Sequence, residues 1–352
     1  MTTKEPMSEM RARIEQLAMG YGLSSILFAA VELGLFDQLA DGPLDTESLA
    51  RRLGASPSGV ARLTAALGAL NLVAFEADGR VSAPPELVAM LSRDRDDSLA
   101  PVLLYHQRHV APLMGQLGNA VRHKRPQIAG WPFASPGAAD RHCYEELSRH
   151  PEEYRLFLQA MDRFAMGTGT DIAASFDLRN TRRLIDVGGG SGRIARELLA
   201  AAPDLTIEML DLPIACRMAE KEALAAGLGG RFRATEADLT KAFPRTIEPA
   251  DVVLLAGILA DWGPDDQLRI LANVAPLLRP GGCLVVNETL LDEGRKGPMV
   301  PVMLSVLMLV AMPGDSFTLT DLTALLQKGG YSSIEHRPPR QPGRRDLVIA
   351  RC

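Results

Sequence analysis

Short apolar runs alternate with amphipathic segments through the second half of this 352-residue chain. Apolar runs without polar alternation are typical of strands buried on both faces of a parallel sheet, so we predict a strand at each. They lie at 184–187, 205–210, 231–237, 251–255 and 283–288, and then at 333–336 and 346–350. Segments with helical spacing separate them, at 193–202, 215–226, 265–278 and 320–328. The alternation predicts a doubly wound α/β sheet, in which ligands bind at the carboxyl ends of the strands.

The first part of the chain has helical periodicity instead. It predicts helices over 14–39, 46–53 and 59–70, followed by a small hairpin over 71–83. Asp45 can cap the second of these helices and Gly54 can end it. Ser56 or Ser58 can cap the third. Two short helices followed by a hairpin predict a winged helix.

A winged helix raises the question of DNA binding. The helix over 59–70 carries one cation, Arg62, whereas a helix that reads a DNA groove needs a polar and basic face. The chain has 38 Lys and Arg against 43 Asp and Glu, a net charge of −5. We therefore predict no nucleic-acid partner, and favour a packing or dimerisation role for this region.

Two further helical segments, over 98–130 and 140–166, lie before the first predicted strand. Phe157, Met161 and Phe164 recur at spacings of four and three residues, so they share one helix face. That face is either part of the core or part of the lining of a substrate pocket, and the periodicity does not distinguish the two.

Four glycines within five residues follow the first strand, at 188–190 and 192. Glycine at a strand-to-helix turn lets the backbone approach a ligand closely. A dinucleotide fingerprint needs Gly or Ala where this chain has Arg193, so the pattern departs from the NAD form. Asp211 and Asp238 end the next two strands, and Asp211, at the tip of the second strand, is placed to bind ribose hydroxyls. The combination predicts a cofactor cleft.

These motifs resemble those of the S-adenosylmethionine-dependent small-molecule O-methyltransferases, which include caffeate-type, hydroxyindole and bacterial natural-product enzymes. The matching pieces are Asp-Val-Gly-Gly-Gly-Ser-Gly at 186–192, Asp-Leu-Pro at 211–213, Asp-Leu at 238–239, Asp-Trp at 261–262, Arg-Pro-Gly-Gly at 279–282 and Gly-Gly-Tyr at 329–331. The resemblance implies a helical winged-helix domain for dimerisation and substrate covering over 1–175. It implies a Rossmann-like class I methyltransferase domain over 176–352, a homodimer formed through the N-terminal domain, and a small-molecule acceptor.

The resemblance also implies which residues hold the cofactor, S-adenosylmethionine. Gly188 and Gly190 would lie near its methionine part, and Asp211 near its ribose. Asp238 and Leu239 would lie at the adenine. The full set implied for the cofactor is Asp186, Gly188, Gly190, Asp211, Leu212, Asp238, Leu239, Ala256 and Trp262, with Ala256 contributing backbone and Trp262 either covering the cofactor or packing under the sheet.

The catalytic residues of the family are only partly present. In the family a His precedes the Asp-Trp pair and removes the proton of the acceptor, and this chain has Ala260 there. A later Glu that orients the His is replaced by Ser316, while a second supporting carboxylate is retained as Glu288. A general base contributes about 10²–10⁴ in rate. The candidates to replace it are His106, His109, His142, Asp261 and, more weakly, Glu288.

Several functions remain open. The first is methylation of a small, aromatic natural-product intermediate, by default on oxygen, with carbon or nitrogen second because of Ala260. The others are a non-methylating hydroxylase, decarboxylase or cyclase on the same scaffold, and a winged-helix regulator with a degenerate enzyme domain. The residues predicted to line the acceptor pocket are Phe157, Met161, Phe164, Ala260, Met303, Leu307 and Met308.

The remaining features concern metal binding, membrane association and the cellular compartment of the protein. Four cysteines are scattered without metal-type spacing, so no metal site is predicted and a reducing cytoplasm is expected. The N-terminus lacks the apolar core of a signal peptide. The longest apolar run, at 299–312, is too short to span a bilayer, so no membrane association is predicted.

Overall fold

A computed structural model describes residues 7–93, 95, 97–341 and 343–352. The chain forms two compact units, Met1–Arg108 and His109–Cys352. The boundary predicted at residue 175 lies inside the second unit, because the helices that precede the sheet pack on its own helices.

The first unit is helical with one small hairpin. Its elements are α1 (Met7–Leu33), α2 (Leu35–Gln38), α3 (Thr46–Leu53), α4 (Pro57–Ala69), β1 (Ala74–Phe75), β2 (Val81–Ser82), α5 (Pro85–Leu91) and α6 (Ala100–Tyr105). The long helix predicted over 14–39 is interrupted at Gly34, whose φ of 75° is left-handed and breaks the helical repeat. Within the described residues, α1 is the one helix that is long and apolar enough to span a membrane. No such helix was predicted from the sequence.

The predicted winged helix is confirmed. The Asp45 carboxylate accepts a hydrogen bond of 2.8 Å from the Ser48 N–H and caps α3, and Gly54 ends that helix at a φ of 63°. Ser56, rather than Ser58, caps α4 by accepting from the Gly59 N–H at 3.2 Å. The antiparallel pair β1–β2 forms the wing.

The helices of the second unit surround a seven-stranded sheet. They are α7 (Ala111–Met114), α8 (Leu117–His123), α9 (Cys143–Ser148), α10 (Pro151–Phe164), α11 (Thr168–Ser175), α12 (Arg193–Ala201), α13 (Pro213–Ala225), α14 (Pro264–Val274), α15 (Met299–Ala311) and α16 (Leu319–Lys328). The helical segment predicted over 98–130 is broken by a π-helical turn at His106–Val110 and a 3₁₀ turn at Ile128–Gly130. Helix α11 was not predicted.

The strands are β3 (Arg183–Val187), β4 (Thr206–Asp211), β5 (Phe232–Glu236), β6 (Ala250–Ala256), β7 (Leu278–Glu288), β8 (Ser333–Arg337) and β9 (Asp346–Arg351). Their order in the sheet is β5-β4-β3-β6-β7-β9-β8, and only the pairs that involve β9 are antiparallel. The doubly wound α/β fold is therefore confirmed. Apolar side chains cover both faces of the sheet, as the uninterrupted apolar runs predicted.

Strand register brings the functional residues to one edge. Asp186 pairs with Leu254 of β6, and Asp211 pairs with Glu236 of β5. Glu288, the last residue of β7, pairs with Asp346, the first residue of β9. The carboxyl ends of five parallel strands and the beginning of β9 consequently lie along the same edge of the sheet.

Candidate active site

The turn after β3 is shaped by three glycines in left-handed conformations. The φ angles of Gly188, Gly190 and Gly192 are 76°, 60° and 74°. The Gly188 N–H donates to the Leu210 carbonyl at 2.8 Å, which ties the turn to β4. A Cβ atom on Gly188 would collide with the Ile258 side chain. Glycine adopts this left-handed conformation without strain and lets the Ile258 side chain pack against the turn.

Asp186 lies just before the turn and has a buried, unpartnered carboxyl group. It is 1% exposed, and among the described residues neither of its oxygens has a hydrogen-bond partner. Burial, with a smaller contribution from the charge of Asp211, raises its pKa to about 7. A buried carboxylate without a partner is unfavourable, and a cationic ligand would relieve that cost. The amino group of S-adenosylmethionine meets this requirement, so the residues present fit that cofactor.

Asp211 ends β4 and faces the same turn. Its carboxylate accepts from the Gly190 N–H at 2.8 Å and from the Leu212 N–H at 2.6 Å. Burial raises the pKa of Asp211 to about 6, and these two hydrogen bonds oppose the increase. The contacts hold the carboxylate across the glycine turn at the end of β4, and its contact with a ribose stays a prediction.

Asp238 and Leu239 follow β5. The Asp238 carboxylate accepts from the Thr240 hydroxyl at 2.7 Å and pairs with the Lys241 ammonium at 2.8 Å. Burial opposes the effect, but these contacts lower the pKa of Asp238. The Leu239 side chain lies beside Gly188. Asp186, Gly188, Gly190, Asp211, Leu212 and Leu239 are thus gathered around one turn.

Beyond Ala256, at the end of β6, the chain forms a tight turn that Glu288 holds in place. One Glu288 carboxylate oxygen accepts from the Ile258 N–H at 3.1 Å and from the Leu259 N–H at 3.0 Å. Burial raises the pKa of Glu288 to about 7, opposed by the charge of Arg345. Glu288 therefore has a structural task at this turn, whether or not it also moves a proton.

Asp261 in the same turn is bound by a tyrosine from α9. The Tyr144 hydroxyl donates a hydrogen bond to the Asp261 carboxylate. Burial raises the pKa of Asp261 to about 6, while the Tyr144 hydrogen bond and the charge of Arg345 oppose the increase. Burial and the charge of Asp261 raise the pKa of Tyr144 well above its usual value. At neutral pH the pair is accordingly a carboxylate held by a neutral phenol.

His142 packs on Trp262. Their rings stack with centroids 4.1 Å apart and an interplanar angle of 7°. His142 Nδ1 accepts from the Tyr144 N–H at 3.3 Å, and Nε2 faces the Asp261 carbonyl oxygen at 3.5 Å. Burial lowers the pKa of His142. With both ring nitrogens facing backbone groups, the ring in this conformation packs the turn rather than offering a lone pair to an acceptor. Trp262 itself belongs to the hydrophobic core.

The segment after α15 lies against Ala260. Gly314 packs directly on the Ala260 carbonyl, and a Cβ atom there would collide with it. The Ser316 hydroxyl is buried and donates to the Pro301 carbonyl at 3.3 Å. The two positions at which the resemblance expects a His and its orienting Glu therefore lie on neighbouring segments.

The other predicted residues have different surroundings. His109 lies 3.0 Å from the Glu153 carboxylate, in a buried cluster with Trp131. His106 belongs to the first unit. On α10, Phe157 is buried and Met161 half-buried, but Phe164 is 47% exposed. On α15, Met303 is 51% exposed, and Leu307 and Met308 are half-buried.

Sequence reasoning missed three residues at this edge: Tyr144, Asp162 and Arg345. Asp162 on α10 accepts from the Ser191 hydroxyl at 2.6 Å and from the guanidinium of Arg193 at 2.5 Å, which ties α10 to the glycine turn. No spacing rule identifies them, because each reaches the site from a segment distant in the chain.

Comparison with known families defines the class of the protein. A family model described as an O-methyltransferase domain matches residues 114–332, and one described as an O-methyltransferase dimerisation domain matches residues 15–85. The chain belongs to the S-adenosylmethionine-dependent O-methyltransferase family.

The relatives cover nearly the whole chain. The chain is 32% identical to 3-hydroxy-5-methyl-1-naphthoate 3-O-methyltransferase of Streptomyces sahachiroi, over 95% of this chain and 93% of the relative. It is 31% identical to acetylserotonin O-methyltransferase of Gallus gallus, over 92% and 93%. Human N-acetylserotonin methyltransferase, solved in complex with S-adenosylmethionine, superposes with a TM-score of 0.85 at 28% identity, covering 100% of this chain and 99% of that one.

Proposed function

We propose that this enzyme methylates an oxygen atom of a small, fused-ring aromatic acceptor. The observation that carries the proposal is the glycine turn with the buried, unpartnered Asp186 beside it. Two relatives support the acceptor class, since their names specify a hydroxynaphthoate and acetylserotonin. Methylation of nitrogen or carbon remains the second possibility.

Residues of the chain would hold the cofactor at three places. Asp186, Gly188 and Gly190 would bind its methionine part, and the Asp211 carboxylate would bind its ribose hydroxyls. Asp238 and Leu239 would bind the adenine. When bound, S-adenosylmethionine supplies an electrophilic methyl group on a positively charged sulfur. The protein's contribution is to hold the acceptor atom near that carbon and to exclude water.

The acceptor side would be lined by apolar and aromatic groups around Ala260. Tyr144 packs edge-on against Phe157, with ring centroids 5.8 Å apart. Together with Met161 these side chains offer a wall suited to an aromatic ring. Helix α15, with Met303, Leu307 and Met308, is a second candidate wall, because methionine adapts to irregular apolar ligands.

The proton of the acceptor is the second element of the proposal. An ordinary phenol with a pKa near 10 costs roughly 4 kcal/mol to ionise at pH 7. His142 is occupied by packing and His109 is paired with Glu153, so neither supports a histidine base. Asp261 and Glu288 are the carboxylates at this turn, and burial raises their pKa values to about 6 and about 7. We infer that the acceptor is acidic enough to ionise with little help, and that positioning supplies most of the rate.

The assembly and the compartment are also proposals. Helix α1 exposes a series of large apolar side chains in the first unit, namely Met7, Met10, Ile14, Leu17, Met19, Tyr21 and Leu23. Burying them against a second copy would favour a homodimer through this unit, in keeping with the dimerisation-domain match. The four cysteines are free, which supports a reducing, cytoplasmic location.

The test is a reaction with methyl-labelled S-adenosylmethionine and a panel of hydroxynaphthoates, hydroxyindoles and their amino analogues. Mass spectrometry should find the label on oxygen of at least one hydroxylated member. Label on nitrogen or carbon would replace O-methylation by the second possibility. Conversion of an acceptor without label transfer would favour the non-methylating alternative. Asp186→Asn serves as the control, since it removes one charge from the cofactor side and should reduce any labelling at cofactor concentrations below saturation.

A further inference from the structure

Arg345 lies at the ligand edge of the sheet, although it belongs to no motif. It directly precedes β9, whose first residue, Asp346, pairs with Glu288 at the end of β7. Because β9 runs antiparallel to its neighbours, its beginning lies where the parallel strands end. The guanidinium group of Arg345 is therefore on the same edge as the turn that contains Ala260.

Gly257 makes room for this guanidinium. Its φ is 64°, and a Cβ atom there would lie 2.5 Å from Arg345 Nη1 and 3.1 Å from Cζ. A side chain at this position would displace the arginine. The turn after β6 is thus shaped around a cation contributed by the C-terminal strand.

Arg345 is partly buried, and among the described residues its guanidinium acts on protein groups only through its charge, on Asp261 and Glu288. Within the described residues it makes no hydrogen bond or ion pair, whereas the neighbouring Arg344 donates to the Met166 carbonyl at 2.6 Å and pairs with Asp171 at 3.2 Å. The two carboxylates that its charge affects receive their hydrogen bonds from other donors: Asp261 from the Tyr144 hydroxyl and Glu288 from backbone N–H groups. The donors of Arg345 remain available to a ligand.

An acceptor that arrives ionised needs a counter-charge in a partly buried cleft. We propose that Arg345 binds an anionic oxygen of the acceptor, either a phenolate or a carboxylate on an aromatic ring, beside Gly257. The inference rests on the proposed function and names the chemical class of its acceptor. An opposite charge within 4–6 Å shifts the pKa of an ionisable oxygen by about one to three units. By lowering the pKa of the acceptor oxygen, Arg345 would favour the same ionised form that a histidine base produces by removing the proton.

The experiment uses the full-length protein saturated with S-adenosylhomocysteine, and two pairs of probes. The phenolate pair is 4-nitrophenol, whose ionised form is followed by its visible absorbance, and its neutral methyl ether. The carboxylate pair is 1-naphthoate and its neutral amide, followed by calorimetry. Four proteins are compared: wild type, Arg345→Gln, Arg345→Lys and the matched control Arg344→Gln, which removes one positive charge at the adjacent position.

The wild type should prefer at least one anionic probe over its neutral partner. Arg345→Gln should lose that preference by about 10-fold or more, Arg345→Lys should retain part of it, and Arg344→Gln should resemble wild type. A preference limited to 4-nitrophenol assigns Arg345 to the phenolate, and one limited to 1-naphthoate assigns it to a carboxylate. Equal preference in wild type and Arg345→Gln, or no binding of either anion, would overturn the inference. Failure of wild type to bind S-adenosylhomocysteine would instead overturn the proposed function.

Discussion

The cofactor side of the cleft is built from backbone geometry, whereas the acceptor side is built from side chains that come from distant segments. We define the cofactor side as residues 186–192, 211–212 and 238–239. The acceptor side is the turn over 257–261 together with Tyr144, Glu288 and Arg345. On the first side, the left-handed glycines follow Asp186 directly, and the other carboxylates stand at or just after the ends of the next two strands in the chain. On the second, more than a hundred residues separate Tyr144 from the Asp261 it binds.

This difference corresponds to two tasks of the enzyme: binding the cofactor, which all members of the family share, and binding the acceptor, which differs among them. Every member must hold the same cofactor, and rigid turns between strands and helices can do so with backbone groups. Each member has its own acceptor, and a few side chains on loops and helices can be exchanged without disturbing the sheet. The two sides should therefore respond independently to mutation.

The largest expected effect is that of Gly188→Ala on cofactor binding. A left-handed alanine costs about 1–3 kcal/mol of strain, and its Cβ would collide with Ile258. We expect S-adenosylhomocysteine to bind roughly 100-fold more weakly by calorimetry. Gly79→Ala is the matched control, because Gly79 also has a left-handed φ, of 83°, but has open space around it in the hairpin of the first unit. An unchanged affinity in Gly188→Ala would refute the cofactor-side geometry.

Asp186→Asn should weaken cofactor binding by about 10- to 100-fold, which is the effect expected from losing one hydrogen bond to a charged group. It should also stabilise the ligand-free protein. The folded-state pKa of about 7 exceeds the usual 3.8, so the folded protein binds a proton that the unfolded chain does not, and its stability falls as the pH rises from 4 to 7. Thermal unfolding should show a larger gain in Tm at pH 8 than at pH 5. A gain independent of pH would mean that Asp186 is not the titrating group.

Tyr144→Phe should act on the acceptor side alone. It removes the hydrogen bond that lowers the pKa of Asp261, so that pKa should rise above about 6. Carboxyl ¹³C NMR across a pH series would measure the shift, and kcat should fall by no more than about 10-fold. S-adenosylhomocysteine affinity should stay within twofold of wild type. A fall in the Asp261 pKa would contradict the assigned hydrogen bond.

Ala260→His should produce the smallest effect. If the acceptor ionises without a histidine base, restoring one should leave kcat/KM on the native acceptor unchanged or slightly lower, because the larger side chain narrows the cleft. A rise approaching 10²–10⁴ would show that deprotonation limits the rate. Measuring kcat/KM from pH 6 to 9 checks this, with the circular dichroism spectrum as a control for folding.

The strand, turn and helix of the cofactor side could be predicted from the sequence because their signals are local. A strand, a glycine turn and a helix within 184–202 are enough to place Gly188 and Gly190, and the structure has them as expected. The sheet and the winged helix follow from periodicity in the same way. The acceptor side depends on which distant side chains meet, and no local pattern encodes the Tyr144 hydrogen bond to Asp261 or the packing of Arg345 on Gly257. Periodicity also could not predict that Phe164 is exposed, since Phe157 lies on the same predicted helix face and is buried.

Calorimetric titration of S-adenosylhomocysteine into wild type, Asp186→Asn and Arg345→Gln tests the separation of the two sides most directly. The account predicts one site per chain, weaker by at least about 10-fold in Asp186→Asn and unchanged in Arg345→Gln. Equal losses in both variants, or a loss confined to Arg345→Gln, would contradict it.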